Sequence, residues 1–77
     1  MILYAKDCIV AGVLYAAAVC VEGESLVLRL QKLTPVEGVD VDGNALPPIA
    51  EETVRPIANV AQGAAVVDQI GEGIIPL

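Results

Sequence analysis

The sequence predicts a small single domain of the α+β class, with an N-terminal β-hairpin, a short helix or third strand, and a C-terminal helix. Three observations predict this: an apolar stretch from Met1 to Val21, a leucine-rich element after it, and a helical repeat of apolar residues near the C-terminus. We divide the 77-residue chain into a hairpin module (1–33), an acidic Pro/Gly loop (34–50), and a C-terminal helix with an apolar tail (51–77).

The N-terminal stretch is interpreted as a hairpin that turns at Ala11-Gly12 and places Val10 opposite Val13. In this register both faces of the ribbon are apolar, which requires a cover on both sides or a contact with another subunit. A single buried helix is the alternative, favoured by the alanine run at 16–18. One face of the hairpin would carry Ile2, Tyr4, Cys8, Val10, Val13, Tyr15, Val19 and Val21, and the other Leu3, Ile9, Leu14, Ala16, Ala18 and Cys20.

The element from Ser25 to Leu33 fits two structures equally well. Leucines at 26, 30 and 33 have helical spacing behind a capping serine, whereas leucines at 26, 28 and 30 recur at every second position against Arg29 and Gln31, as in a strand. The Thr34-Pro35 step ends the element in either case.

A helix is predicted after Pro56, a residue suited to a first turn, and before a stop at Gly71. Its contact face is built of small residues with Gly63 nearby, which would allow a close approach to another element. Ile57, Val60, Ala61, Ala64 and Val67 recur at helical spacing. The tail beyond Gly71 is apolar, and we expect it to dock.

Composition favours burial in an assembly. At this length a chain buries only about 60% of its unfolded surface, yet 56% of the residues are hydrophobic and the mean hydropathy is +0.70. Ten acidic residues against four basic ones give a net charge of −6, and four scattered cations cannot form the basic stripe that nucleic acid requires. The longest uncharged run, Cys8 to Val21, is 14 residues, short of the roughly 20 that cross a bilayer.

Cys8 and Cys20 are expected to be reduced and buried. In the hairpin register they lie on opposite faces, and in a helix their sulfurs would be roughly 18 Å apart, so neither structure allows a disulfide. Reduced cysteines indicate a reducing compartment.

No motif specifies a reaction or a cofactor. The sequence has no histidine, so the Ser/His/Asp, Cys/His and HExxH sites cannot form, and we expect a protein that is not an enzyme. Glu51 and Glu52 are interpreted as charges near a helix N-terminus.

A weak metal candidate lies in the acidic loop. Asp40, Asp42, Asn44 and Glu51 occupy positions 1, 3, 5 and 12 of an EF-hand-like loop. Ala45 stands where that loop needs glycine, and Pro47-Pro48 follow it. An acidic turn with a stiff linker is the preferred interpretation, and no metal is expected.

The segment Val10-Ala11-Gly12-Val13-Leu14-Tyr15, with Val19-Cys20-Val21-Glu22 and a leucine-rich element after it, resembles a hairpin module of tailed-phage structural proteins. That module reads V-N-G-x-x-Y-x-x-G-x-x-V before a short helix. Here Ala11 replaces the usual Asn and Ala18 the usual Gly, and the resemblance covers roughly residues 6–33. It implies a role in the virion head or its decoration.

We therefore expect a non-enzymatic structural subunit, most concretely a phage capsid-associated decoration or cement protein, in the virion or the host cytoplasm. Its partners would be capsid or other virion subunits, further copies of itself, or both. A small cytoplasmic adaptor that binds an added strand is the alternative, followed by a short membrane protein. The expected interface residues are Tyr4, Val13, Tyr15, Val19, Ile74, Ile75 and Leu77.

Overall fold

The computed structural model describes residues 1–75, which form four antiparallel strands followed by one helix. The elements are β1 Ile2–Val10, β2 Val13–Glu22, β3 Ser25–Thr34, β4 Ile49–Pro56 and α1 Val60–Gly71. The strands lie in one sheet in the order β1-β2-β3-β4. The small α+β domain with an N-terminal hairpin is confirmed, and the alternative of a single N-terminal helix is wrong.

The hairpin turns where its sequence indicates. Ala11 and Gly12 both have positive φ, 51° and 80°, as a two-residue hairpin turn requires, and Val10 pairs with Val13. An irregularity near the start of β1 makes Ile2 pair with Cys20 while Tyr4 pairs with Val19. Ile2 therefore shares a face with Cys20 and not with Tyr4, which corrects the predicted face of this one residue.

The leucine-rich element is a strand, so its helical alternative is wrong. Val19 pairs with Leu28, and Leu26, Leu28 and Leu30 lie at alternate positions on the face that packs against the core. The tight turn before it uses Gly23, whose φ of 62° favours glycine.

A fourth strand replaces the first part of the expected C-terminal helix. Glu51, Glu52 and Pro56 lie in β4 and not near a helix N-terminus. Pro56 is tolerated because a proline at an edge strand can direct its ring nitrogen away from the sheet. The predicted loop thus ends where β4 begins, at Ile49.

Helix α1 begins only after Asn59, whose side chain accepts a hydrogen bond from the backbone N–H of Gln62 at 2.8 Å. It ends at Gly71, as predicted. Its buried stripe differs from the predicted one: Gly63, Val67 and Ile70 are buried, whereas Val60 and Ala61 are exposed.

The core lies between α1 and one face of the sheet. Val19 and Val67 are fully buried there, together with Ala17, Leu28 and Ile70. The helix packs over β1 and β2 and touches β3 at its margin, without reaching β4. One face of the sheet and the whole of β4 are therefore left uncovered among the described residues.

Candidate interaction surface

The sheet has an open face opposite α1, and the strand pairing defines its residues. Directly paired residues share a face in an antiparallel sheet, and side chains alternate along each strand. The open face carries Ile2, Ala5, Asp7 and Ile9 from β1, Leu14, Ala16, Ala18 and Cys20 from β2, Val27, Arg29, Gln31 and Leu33 from β3, and Ala50, Glu52, Val54 and Pro56 from β4.

A groove of about 470 Å³ runs along β2 on this face. Its floor is formed by small side chains, because β2 carries Ala16, Ala18 and Cys20 here and β1 contributes Ala5. Longer side chains on the neighbouring strands form its walls. A floor of small residues between taller walls gives a recess that an apolar ridge of another protein could fill.

Apolar rows lie at both ends of the open face. At one end Ile9 is 69% exposed and shares its row with Leu14, Leu33 and Ala50. At the other end Ile2 is 66% exposed, whereas Cys20 and Val27 in the same row are buried. Exposed aliphatic side chains in ordered strands are a feature of protein-binding surfaces when they form a contiguous patch.

Charged residues occupy the middle of the open face. Arg29 forms ion pairs with both Glu22 and Glu52 across neighbouring strands. Asp7 lies in the same row as Glu52 and Gln31. The single cation is thus held by two carboxylates, and the face keeps an excess of negative charge.

A second polar cluster joins β1 to α1 on the covered side. Tyr4 donates its hydroxyl hydrogen bond to Asp68, and the Lys6 ammonium lies 3.0 Å from the same carboxylate oxygen and 5.6 Å from the Tyr4 ring centroid. The hydrogen bonds from Tyr4 and Lys6 lower the pKa of Asp68. The Asp68 carboxylate, with a smaller contribution from Tyr4, raises the pKa of Lys6. This cluster fixes the helix to the edge of the sheet.

The structure separates the members of the weak metal candidate. Asp40 accepts hydrogen bonds from the backbone N–H groups of Asp42 and Asn44, both at 2.9 Å, and Val39 bridges to Ala45. The Asp40 carboxylate therefore organises a tight turn, while Glu51 lies in β4 beside Lys32. Within residues 1–75 no group of three or more metal-binding side chains comes together.

The expected interface residues divide between the two sides of the sheet. Val19 is fully buried beneath α1, and Tyr4, Tyr15 and Ile75 pack against that core, so these four stabilise the fold in this chain. Val13 is half-buried and Ile74 is 55% exposed. Leu77 lies outside the described residues. A charge at Tyr15 would consequently disturb the core directly.

The groove is the feature that sequence reasoning missed. The predicted register places Ala16, Ala18 and Cys20 together on the second hairpin face, and it predicts only that this face is apolar. The available signal was side-chain size, because three small residues in alternate positions of a central strand leave a depression between larger neighbours.

Both cysteines are free, Cys8 half-buried and Cys20 buried. The pairing of Cys8 with Tyr15 and of Cys20 with Ile2 sets them on opposite faces, as the hairpin register predicts. No helix among the described residues has the length and apolar character to cross a membrane.

Comparisons of the chain with family models, with curated proteins and with solved structures found no match.

Proposed function

We propose that the protein is a non-enzymatic structural subunit that completes its fold against a larger assembly. Its most concrete form is a phage capsid-associated decoration or cement protein. The observation that carries the proposal is the open face, an ordered sheet surface with the exposed side chains of Ile2 and Ile9 and a groove, but no covering helix or strand among residues 1–75.

The size of the chain supports this role. A 77-residue chain has one small core, here confined to the helix side of the sheet. Apolar side chains at Ile9 and Ile2 gain from burial only when another surface covers them, at roughly 25 cal/mol per Å² of apolar area. If the protein occupies a fixed place in a shell, the neighbouring shell subunits cover these side chains permanently.

Native mass spectrometry of particle fractions from the source organism tests the proposal. The expected result is a 7.9 kDa chain released in fixed stoichiometry from a large complex. Ile9→Glu should reduce its incorporation because it places a charge on the open face. Val41→Glu introduces the same charge at a fully exposed loop residue and should not reduce incorporation. A chain absent from every large complex, or equal incorporation of the two variants, would contradict the proposal.

A small adaptor that binds an extended segment is the second candidate. The observation in its favour is the free outer edge of β4, which α1 does not cover. Binding of a peptide strand at this edge with 1:1 stoichiometry, and no association with particles, would favour the adaptor.

A further inference from the structure

The outer edge of β4 offers a definite set of backbone groups. Ile57 donates its N–H to the Leu26 carbonyl, in register with the β3–β4 pairing. Antiparallel pairs alternate between hydrogen-bonded and non-hydrogen-bonded. The N–H groups of Glu51, Thr53 and Arg55 therefore point towards β3, and those of Ala50, Glu52 and Val54 point outward. Pro56 falls in the outward set, which explains why a proline is accommodated there.

This edge differs from the edge at β1. The β1 strand is irregular near Ile2 and packs beside α1, and a Cβ at Gly73 would lie 3.6 Å from the Cys8 sulfur, so the C-terminal segment runs close to it. Every residue of β4 is exposed, and its pairing with β3 is regular along its length. An added strand can reach β4 without moving any described element.

Among the antiparallel registers centred on a residue of β4, one sets opposite charges directly opposite each other. Outward-pointing groups bond only when even-numbered residues pair with even-numbered ones. Centring the pair on Glu52 sets that carboxylate against itself, and centring it on Val54 leaves Glu51 opposite Ile57. Centring it on Thr53 places Glu51 opposite Arg55 of the second copy and, by symmetry, Arg55 opposite its Glu51.

We propose that two copies of the protein associate through their β4 edges in this Thr53-centred antiparallel register and form one continuous eight-stranded sheet. Glu52 and Val54 of each copy exchange backbone hydrogen bonds with Val54 and Glu52 of the other. The Ala50 N–H donates to the Pro56 carbonyl of the second copy. A two-fold axis relates the copies, as in most homodimers.

The charges select this register. Glu51 and Arg55 lie in non-hydrogen-bonded pairs across the new contact, where Cα atoms are about 4.5 Å apart and side chains are closest. Opposite charges placed there stabilise a sheet, and like charges destabilise it. Each copy has a net charge of −6, so association depends on a register in which its few cations meet acids. The contact uses the edge of the sheet and leaves the open face free for a different partner.

Charge exchange tests the proposal. Sedimentation velocity over roughly a hundredfold range of concentration should show a monomer–dimer equilibrium. Glu51→Arg and Arg55→Glu should each weaken dimerisation about tenfold, because each sets like charges opposite one another twice per dimer. An equimolar mixture of these two variants, and the double variant that carries both changes, should restore the dimer.

Two controls separate the contact from the fold. Glu37→Arg makes the same charge change as Glu51→Arg at an exposed loop residue and should leave dimerisation unchanged. Circular dichroism should show the same secondary structure in all variants. Val54→Pro removes an outward N–H without removing a bond to β3, so it should abolish dimerisation while the monomer stays folded.

Cross-linking tests the register itself. Thr53→Cys brings two thiols together on the two-fold axis, within the Cα range of about 4.4 to 6.8 Å for a disulfide. Copper-phenanthroline should therefore convert this variant to a covalent dimer, and it should form no covalent dimer of wild type or of Glu51→Cys. A wild type that stays monomeric at millimolar concentration, a mixture that does not restore the dimer, or cross-linking at position 51 and not 53 would overturn the proposal. None of these results bears on the open face.

Discussion

Gly63 of α1 lies directly against Val19 of β2. A Cβ added to Gly63 would be 2.7 Å from the Val19 Cγ2 and 2.6 Å from the Ile57 Cδ1, both shorter than ordinary carbon contacts. Val19 is fully buried and β-branched, so it has little freedom to move aside. The absence of a side chain at residue 63 thus sets the depth at which the helix packs.

Gly63→Ala is expected to destabilise the fold despite the better helix propensity of alanine. Alanine gains about 1 kcal/mol in a helix, but overpacking a tight core costs about 1–3 kcal/mol. We expect a net loss of about 1 kcal/mol and a Tm lower by about 5 °C in a thermal melt. Gln69→Ala, at an exposed position of the same helix, serves as the control and should change Tm little. An unchanged or raised Tm for Gly63→Ala would show that the helix can shift without cost.

Asn59→Ala should weaken α1 at its first turn. The Asn59 side chain accepts the Gln62 N–H at 2.8 Å, and the Gln62 side chain accepts the Ala58 N–H at 3.0 Å, so two backbone donors depend on this cap. Loss of an N-cap costs about 1 kcal/mol. Chemical denaturation should show that loss for Asn59→Ala and little change for Asn59→Asp, which keeps an acceptor. Equal stability of the alanine and aspartate variants would contradict this role.

Asp68 should make stability depend on pH in the acid range. Its pKa is lowered by hydrogen bonds from Tyr4 and Lys6 in the folded state, so its contribution is complete above the pKa of an ordinary carboxyl, about 4, and is lost as pH falls through the lowered value. The raised pKa of Lys6 has the opposite sign: its contribution is complete below the ordinary lysine pKa and is lost as pH rises through the raised one.

The measurement is the difference in Tm between wild type and Asp68→Asn across pH. The difference should be largest from about pH 5 to 9 and should shrink as pH falls below about 4, because the carboxyl of the unfolded chain is protonated there first and that of the folded chain follows only at the lowered pKa. Because both charged side chains are nearly half exposed, added salt should reduce the difference. Glu37→Gln, which removes an exposed loop charge, should show no such profile. A difference that does not change with pH would assign the effect to packing alone.

The elements with a strong local signal were predictable from the sequence. The Ala11-Gly12 turn fixes the hairpin register, and Gly71 marks the end of the helix because glycine after the last apolar residue of a helical repeat is a stop signal. Strand β4 was not predictable, since the adjacent acids Glu51 and Glu52 do not alternate with apolar residues and the strand forms only because β3 offers it a partner.

The candidate surface could be predicted only in part, for a related reason. That both hairpin faces need a cover or a subunit contact follows from their apolar pattern, but which face α1 covers depends on tertiary packing. From the sequence alone Val19 is as good an interface candidate as its neighbours. In the structure Gly63 of α1 lies against Val19, which is fully buried in the core. The groove depends on side-chain sizes in strands that are brought together only by the fold.

Ala11 provides a test in the stabilising direction. It is the one non-glycine residue with positive φ among residues 1–75, at 51°, a conformation that costs an L-residue about 1–2 kcal/mol. Asparagine tolerates this conformation better and is the preferred residue before glycine in such turns. Ala11→Asn should therefore raise stability by up to about 1 kcal/mol in chemical denaturation, with unchanged secondary structure.

Gly12→Ala is the matched opposite of Ala11→Asn. Gly12 has φ of 80° and nothing lies within 4 Å of an added Cβ, so its effect would come from backbone strain and not from a clash. It should lower stability by about 1 kcal/mol. Val10 pairs with Val13 immediately beside the turn, so the turn sets the hairpin register. If Ala11→Asn raises stability and Gly12→Ala lowers it, the backbone conformation of residues 11 and 12 determines the stability of the hairpin. A destabilised Ala11→Asn variant would contradict that assignment and point to a contact of the alanine methyl group.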